Sequence, residues 1–356
     1  MCRERVQDVE CNRAIARLEH SIEAQRIPIT AYIEVTHRCN FRCLYCFQAP
    51  IREANGYFDG ELTRAEWASI MTELRARGCL FVRFTGGELG IRRDFVDIYN
   101  DACDRGFTVS MITNASLLHE NDLLGALRRR KPSVVVVSLY GASELTYAAF
   151  TGQRAAWARV ETNLRGLADA GIKLHLQTVA NIHTYSEIAS MQSLAERLHA
   201  RFHAFSLIHG MCDGNCSPRQ LQVSPEQRAE LIVQLRKRDE FDKYIADESR
   251  IWGSNRKQCC AGAGRCCIDP VGRMFLCPPC TECKVSILEN GCSAAWEAMG
   301  RARKRYVERP SPCDACEQRM VCGICAPVYC RDYGSMGALR ERCSEGQGFV
   351  QYLSRS

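Results

Sequence analysis

The chain has 356 residues, 46% of them hydrophobic and 25% charged, with a formal net charge of +6, which suits one large soluble domain or two smaller ones. No run of about 18 apolar residues exists to span a membrane, and the charged start from Met1 to Glu10 lacks the apolar stretch of a secretory signal. Neither a helical membrane span nor secretion is expected on these grounds, and a cytoplasmic, reducing compartment is expected for the 23 cysteines.

The positive charge invites a nucleic-acid partner. The basic runs Arg128 to Lys131 and Arg301 to Arg305 read instead as solvated helix faces, so neither nucleic acid nor membrane is expected as a partner.

Residues 1–28 form a short lead-in with apolar residues at helical spacing, closed by Pro28. From Ile29 a strand, loop, helix unit repeats. Strands are expected at 29–35, 80–85, 107–113, 133–139, 172–180 and 204–208, and helices near 62–77, 93–105, 119–130, 157–170 and 186–200. Six strands alternating with helices predict an α/β fold with a parallel sheet and right-handed crossovers. The run Val134 to Val137 suits a strand buried on both faces.

The distinctive residues fall where strands end. Cys39, Cys43 and Cys46 follow the first strand, Gly86, Gly87 and Glu88 the second, Thr113 and Asn114 the third, and Ser138 to Gly141 the fourth. In a barrel-like sheet those loops share one face, so they predict a single site. Three cysteines on one short loop call for a metal. Zinc sites usually close with four ligands, whereas three thiolates can hold three corners of an iron-sulfur cubane and leave the fourth iron open. Tyr45 would shield such a cluster from water.

The spacing C-x3-C-x-aromatic-C, carried here by Cys39, Cys43, Tyr45 and Cys46, resembles the radical S-adenosylmethionine (radical SAM) superfamily. The resemblance implies a partial (β/α)6 TIM-like barrel. It also implies a 4Fe-4S cluster whose open iron binds S-adenosylmethionine, and a 5'-deoxyadenosyl radical that abstracts hydrogen from substrate. By the same resemblance Gly86, Gly87 and Glu88 face the cofactor's amino group, Ser138 and Arg154 its carboxylate or ribose, and Tyr45 and Asn114 complete the cofactor contacts. Relatives often read Gly-Gly-Glu-Pro, where this chain has Leu89. No proton-transfer residue is assigned.

Residues 29–210 are taken as this core and 211–258 as a linker, in which Ser224, Pro225 and Glu226 begin a helix. Fourteen cysteines lie from Cys259 onward. Their pattern in 259–356 resembles the SPASM domain, a cysteine-rich iron-sulfur extension of peptide-modifying radical SAM enzymes. The resemblance implies two auxiliary 4Fe-4S clusters, three in all. One is held by Cys260, Cys266, Cys277 and Cys325, the other by Cys313, Cys316, Cys322 and Cys343. Within the doublets Cys259/Cys260 and Cys266/Cys267 the choice stays open, as it does between Cys325 and Cys330. Eleven thiolates and three cluster cores would add roughly −5 to the net charge.

The function expected is hydrogen abstraction from a residue of a ribosomally made peptide, forming a thioether or carbon-carbon crosslink. The alternative is dehydrogenation or epimerisation of a peptide or of a small alcohol, amine or sugar. Partners implied are the peptide, an electron donor such as flavodoxin or ferredoxin, and a separate leader-binding protein, since the lead-in is too short for a peptide-binding domain.

Overall fold

In the computed structural model, residues 18, 21–54, 60–236 and 259–308 are described. Strand β1 (Thr30–Glu34) is the strand from which the sheet extends in both directions. On one side follow β2 (Phe81–Thr85), β3 (Thr108–Thr113), β4 (Val135–Ser138), β5 (Leu174–Val179) and β6 (Arg201–Phe205), each parallel to its neighbour. On the other side β7 (Arg265–Ile268) also runs parallel to β1, and antiparallel β8 (Arg273–Phe275) and β9 (Val285–Ser286) complete a nine-stranded sheet.

The side chains of this sheet divide by period two. Ala31, Ile33, Val82, Phe84, Val109, Met111, Val135, Val137, Leu174 and Leu176 all belong to the apolar core. That face is covered by helices: Phe84 meets Phe95 of the helix after β2 edge-on, at 5.4 Å between ring centroids. The alternate residues, among them Tyr32, Glu34, Arg83, Ser138, His175, Gln177 and His203, make the opposite face polar. A TIM-like half-barrel with a polar inner wall results.

The helices are α1 (Ala49–Ala54), α2 (Arg64–Ala76), α3 (Phe95–Asp104), α4 (Leu123–Arg129), α5 (Glu144–Thr151), α6 (Ala156–Asp169), α7 (Ile188–Arg197), α8 (Pro225–Arg236) and α9 (Ile287–Tyr306). Helix α2 has a reciprocal cap, Thr63 accepting from the Glu66 N–H while the Glu66 carboxylate accepts from the Thr63 N–H. Helix α8 starts at Pro225, where the sequence places it, with Ser224 and Gln227 capping one another.

Two expectations shift. The sixth strand is Arg201–Phe205 rather than 204–208, because Gln222 draws the chain out of the sheet: it donates to the Ser206 carbonyl at 2.6 Å and accepts from the Ile208 N–H at 2.7 Å. The helix expected over 119–130 is broken by Asn121 and Asp122, both with left-handed backbone, and only Leu123–Arg129 is α-helical. Helix α5 was not among the expected elements. It is capped by Ser143 and stopped by Gly152 at φ 70°.

Candidate functional site

The cysteine loop is held from three directions. After β1 it keeps pairing with the loop after β2: Gly87 N–H donates to the Thr36 carbonyl at 2.7 Å, and Glu88 N–H to the Arg38 carbonyl at 2.9 Å. The approach is so close that a Cβ on Gly86 would lie 2.2 Å from the Thr36 carbonyl oxygen, and one on Gly87 2.1 Å from that of Arg38. Both positions therefore require glycine, and Gly86 also holds φ 136°. From the second direction, the end of α5 accepts Arg42 N–H at Thr151 and Leu44 N–H at Phe150. From the third, Asn114 donates to the Asn40 side chain at 3.0 Å, and Asn40 donates to Ser116 at 2.9 Å.

Glu88 is buried at 1% exposure, with one carboxylate oxygen accepting from the Thr113 hydroxyl and the other from the Asn114 N–H, both at 2.7 Å. Burial raises its pKa above the usual carboxylate range, and these hydrogen bonds oppose that shift. This carboxylate thus ties the end of β2 to the end of β3, directly beneath the cysteine loop.

The thiols sit among aromatic rings. Tyr45 packs on Phe150 with ring centroids 4.7 Å apart, and Tyr140 stacks on Phe150 at 5.6 Å. Burial pushes the pKa values of Tyr45, Tyr140 and Tyr147 upward, and Cys43 is the next influence on each. These rings line one side of the loop, whose three cysteines are half-buried. The Phe41 N–H donates to the Cys39 sulfur at 3.4 Å, and Asn114 Nδ2 lies 4.0 Å from it.

Such donors and such a wall fit a thiolate-bound cluster. Among the described residues no three His, Cys, Asp or Glu side chains close on a single metal ion. Cubane ligands stand on separate corners and do not require that arrangement.

The other expected residues are placed as follows. Ser138 ends β4 and its hydroxyl accepts from Gln177 at 3.4 Å. Arg154 is exposed, in the turn between α5 and α6. Cys260 closes a tight turn before β7, Cys266 is within β7, and Cys277 follows β8. Cys313, Cys316, Cys322, Cys325, Cys330 and Cys343 lie outside the described residues.

Residues that motif reading missed surround the loop. Glu34, buried at the end of β1, accepts from Gln48 at 2.7 Å and pairs with His37 at 3.0 Å. Arg38 pairs with Glu61 at 2.8 Å. Their only sequence signal is proximity to the cysteines, since Glu61 comes from a separate loop.

Residues 33–195 match the family described as the radical SAM superfamily. This chain carries a radical SAM domain. The radical SAM domain lies within longer similarities. The chain is 27% identical over 315 residues to an AdoMet-dependent heme synthase of Methanosarcina barkeri, across 82% of this chain and 89% of that protein. It is 26% identical over 320 residues to a PqqA peptide cyclase of Rhizobium meliloti, across 83% and 80%. Among solved structures, Streptococcus suis SuiB bound to the precursor peptide SuiA superposes with a TM-score of 0.63 at 15% identity, covering 90% of this chain and 79% of that one. The radical SAM family implies a 4Fe-4S cluster and S-adenosylmethionine as cofactors, and the cysteine loop lies within the matched residues. No helix among the described residues is long and apolar enough to cross a membrane.

Proposed function

We propose that this radical SAM enzyme modifies a ribosomally made peptide, forming a thioether or carbon-carbon crosslink. The observation that carries the reading is the gathering of Cys39, Cys43 and Cys46 on one loop, clamped to Gly86 and Gly87, above a polar inner wall. The similarity to a PqqA peptide cyclase and the fold shared with peptide-bound SuiB support a peptide substrate.

In this reading Cys39, Cys43 and Cys46 hold the cluster. When bound, the cluster and S-adenosylmethionine supply hydrogen-atom abstraction from an unactivated carbon. The remaining work belongs to the chain. Gly86 and Gly87 let backbone approach the cofactor, Glu88 and Asn114 fix the loops that carry them, and Ser138 and Arg154 contact its polar groups. Tyr45, Tyr140, Tyr147 and Phe150 keep water from the site. Cysteines of the 259–356 region bind two further 4Fe-4S clusters. A flavodoxin or ferredoxin supplies electrons, and a separate protein presents the leader.

A second reading has a specific observation in its favour, the similarity to a heme synthase: oxidation or epimerisation of a small molecule. One experiment addresses both. Anaerobically reconstituted protein is incubated with reductant, S-adenosylmethionine and either a candidate precursor peptide or a metabolite panel. A peptide lighter by two hydrogens, with fragmentation interrupted between the joined residues, is the expected product. Unchanged peptide together with a modified metabolite would favour the second reading. Replacing Cys39, Cys43 and Cys46 together by alanine abolishes 5'-deoxyadenosine formation; unaltered formation in that variant would sink both.

A further inference from the structure

The doublet Cys266–Cys267 lies within β7, so its two side chains turn to opposite faces of the sheet. Cys266, the register partner of Ala31, is fully buried in the apolar core with Ile268, Met274, Leu276 and Cys292. Burial and then the neighbouring Cys79 and Cys292 are what act most strongly against charge on its thiol. Cys267, the partner of Tyr32 and of Phe275, turns to the polar inner wall.

Arg265 is the unusual group. It lies two residues before Cys267 on the same face, with its guanidinium 5.1 Å from the centre of the Tyr32 ring. Its Nε is buried without a hydrogen-bond partner among the described residues.

A guanidinium drawn out of water is costly unless an anion faces it, and protonated thiols and a phenol supply none. Thiolates bound to a metal centre do. The unpartnered Nε, on the strand face that also carries Cys267, therefore points to an anionic metal-thiolate group at this spot. On the opposite face Cys266 lies in the apolar core of the described residues, together with the buried thiols of Cys79 and Cys292.

We propose that Cys267, together with Cys260, binds one auxiliary cluster, that Arg265 is its counter-cation, and that Cys266 is a core thiol without metal. This rests on the reading that the cysteine-rich region carries auxiliary clusters. It departs from the assignment by spacing, which chose Cys266. A half-buried cation beside an anionic cluster stabilises the more negative, reduced state, so Arg265 raises the cluster's potential.

The test uses the full chain with Cys39, Cys43 and Cys46 replaced by alanine, which removes the S-adenosylmethionine-binding cluster. Iron and acid-labile sulfide are measured after anaerobic reconstitution, with far-UV circular dichroism to confirm folding. Cys267→Ala in this background is expected to lose about four irons per chain, and Cys266→Ala none. Arg265→Gln is expected to keep its iron while one cluster's midpoint potential, read by redox titration of the reduced EPR signal, moves to a more negative value. If Cys266→Ala loses the cluster in a folded chain, or Cys267→Ala keeps it, or Arg265→Gln leaves the potential unmoved, the proposal is overturned while the auxiliary clusters stand. A parent variant that binds no iron would overturn the proposal and the auxiliary-cluster reading together.

Discussion

Gly86 illustrates how closely the cofactor loops are fitted. Its φ of 136° is unfavourable for any side chain, and an added Cβ would lie 2.2 Å from the Thr36 carbonyl oxygen, a backbone atom that cannot swing aside. Gly86→Ala should therefore displace the cysteine loop rather than merely crowd it. The expected outcome is a loss of about 1–3 kcal/mol in unfolding free energy, together with at least tenfold weaker S-adenosylmethionine binding by equilibrium dialysis. Wild-type stability and affinity in this variant would show that the two loops are not in register as described. At this scale the sequence was informative: the Gly-Gly-Glu run at the end of a strand is legible, and so is the cysteine spacing. What could not be read was the employment of each side chain. Glu88 is expected to face the cofactor's amino group, and the fold adds that its two oxygens accept from Thr113 and Asn114, a structural task compatible with that contact because each oxygen keeps a further lone pair.

Helix α5 shows the same limit one level up. Its eight residues are too few to announce themselves by periodicity, and nothing local explains why the segment after β4 should coil rather than loop. The explanation lies 41 to 45 residues away, in Glu187, whose carboxylate accepts from Ala142 N–H at 2.5 Å and from the Ser143 and Thr146 hydroxyls, both at 2.6 Å. Burial works against charge on Glu187, but these hydrogen bonds outweigh it and hold its pKa below the usual range.

The end of α5 in turn clamps the cysteine loop through Thr151 and Phe150, so Glu187 supports that loop from a distance. Glu187→Gln is expected to lower unfolding free energy by about 1–3 kcal/mol at neutral pH. The difference should shrink on acidification, because a depressed carboxylate contributes stability above its unfolded pKa and loses it as pH falls through the folded value. Denaturant titrations at several pH values would check this, and a pH-independent difference would remove Glu187's charge from the account.

Several described groups of the polar inner wall are kept uncharged or hydrogen-bonded. His203 faces Phe205 at 4.2 Å and His175 at 6.4 Å between ring centroids. Burial, and then the charge of His175, push the pKa of His203 down from 6.5 to about 4. The neutral imidazole therefore contributes stability above pH 6.5 that is lost as pH falls toward 4. Its full magnitude is at most about 3 kcal/mol. His203→Gln should flatten the decline in denaturant midpoint across that window; parallel slopes for the two proteins would refute it. The wall also carries Arg83, bonded to Ser110 and Tyr32 at 3.1 and 3.0 Å, so its polarity is organised rather than solvated at random.

The cysteine loop at the end of the first strand, the repeating strand and helix units and five of the six parallel core strands were legible in the sequence alone. Each depends on residues close together along the chain: three thiols within eight positions, or a β-branched run whose sterics favour extension. Tertiary structure alone decided that β7 pairs with β1, where β6 leaves the sheet, and which face each of Cys266 and Cys267 turns toward. Those outcomes come from contacts between segments tens to hundreds of residues apart, and from a two-residue alternation whose phase is set only when a strand finds its neighbour.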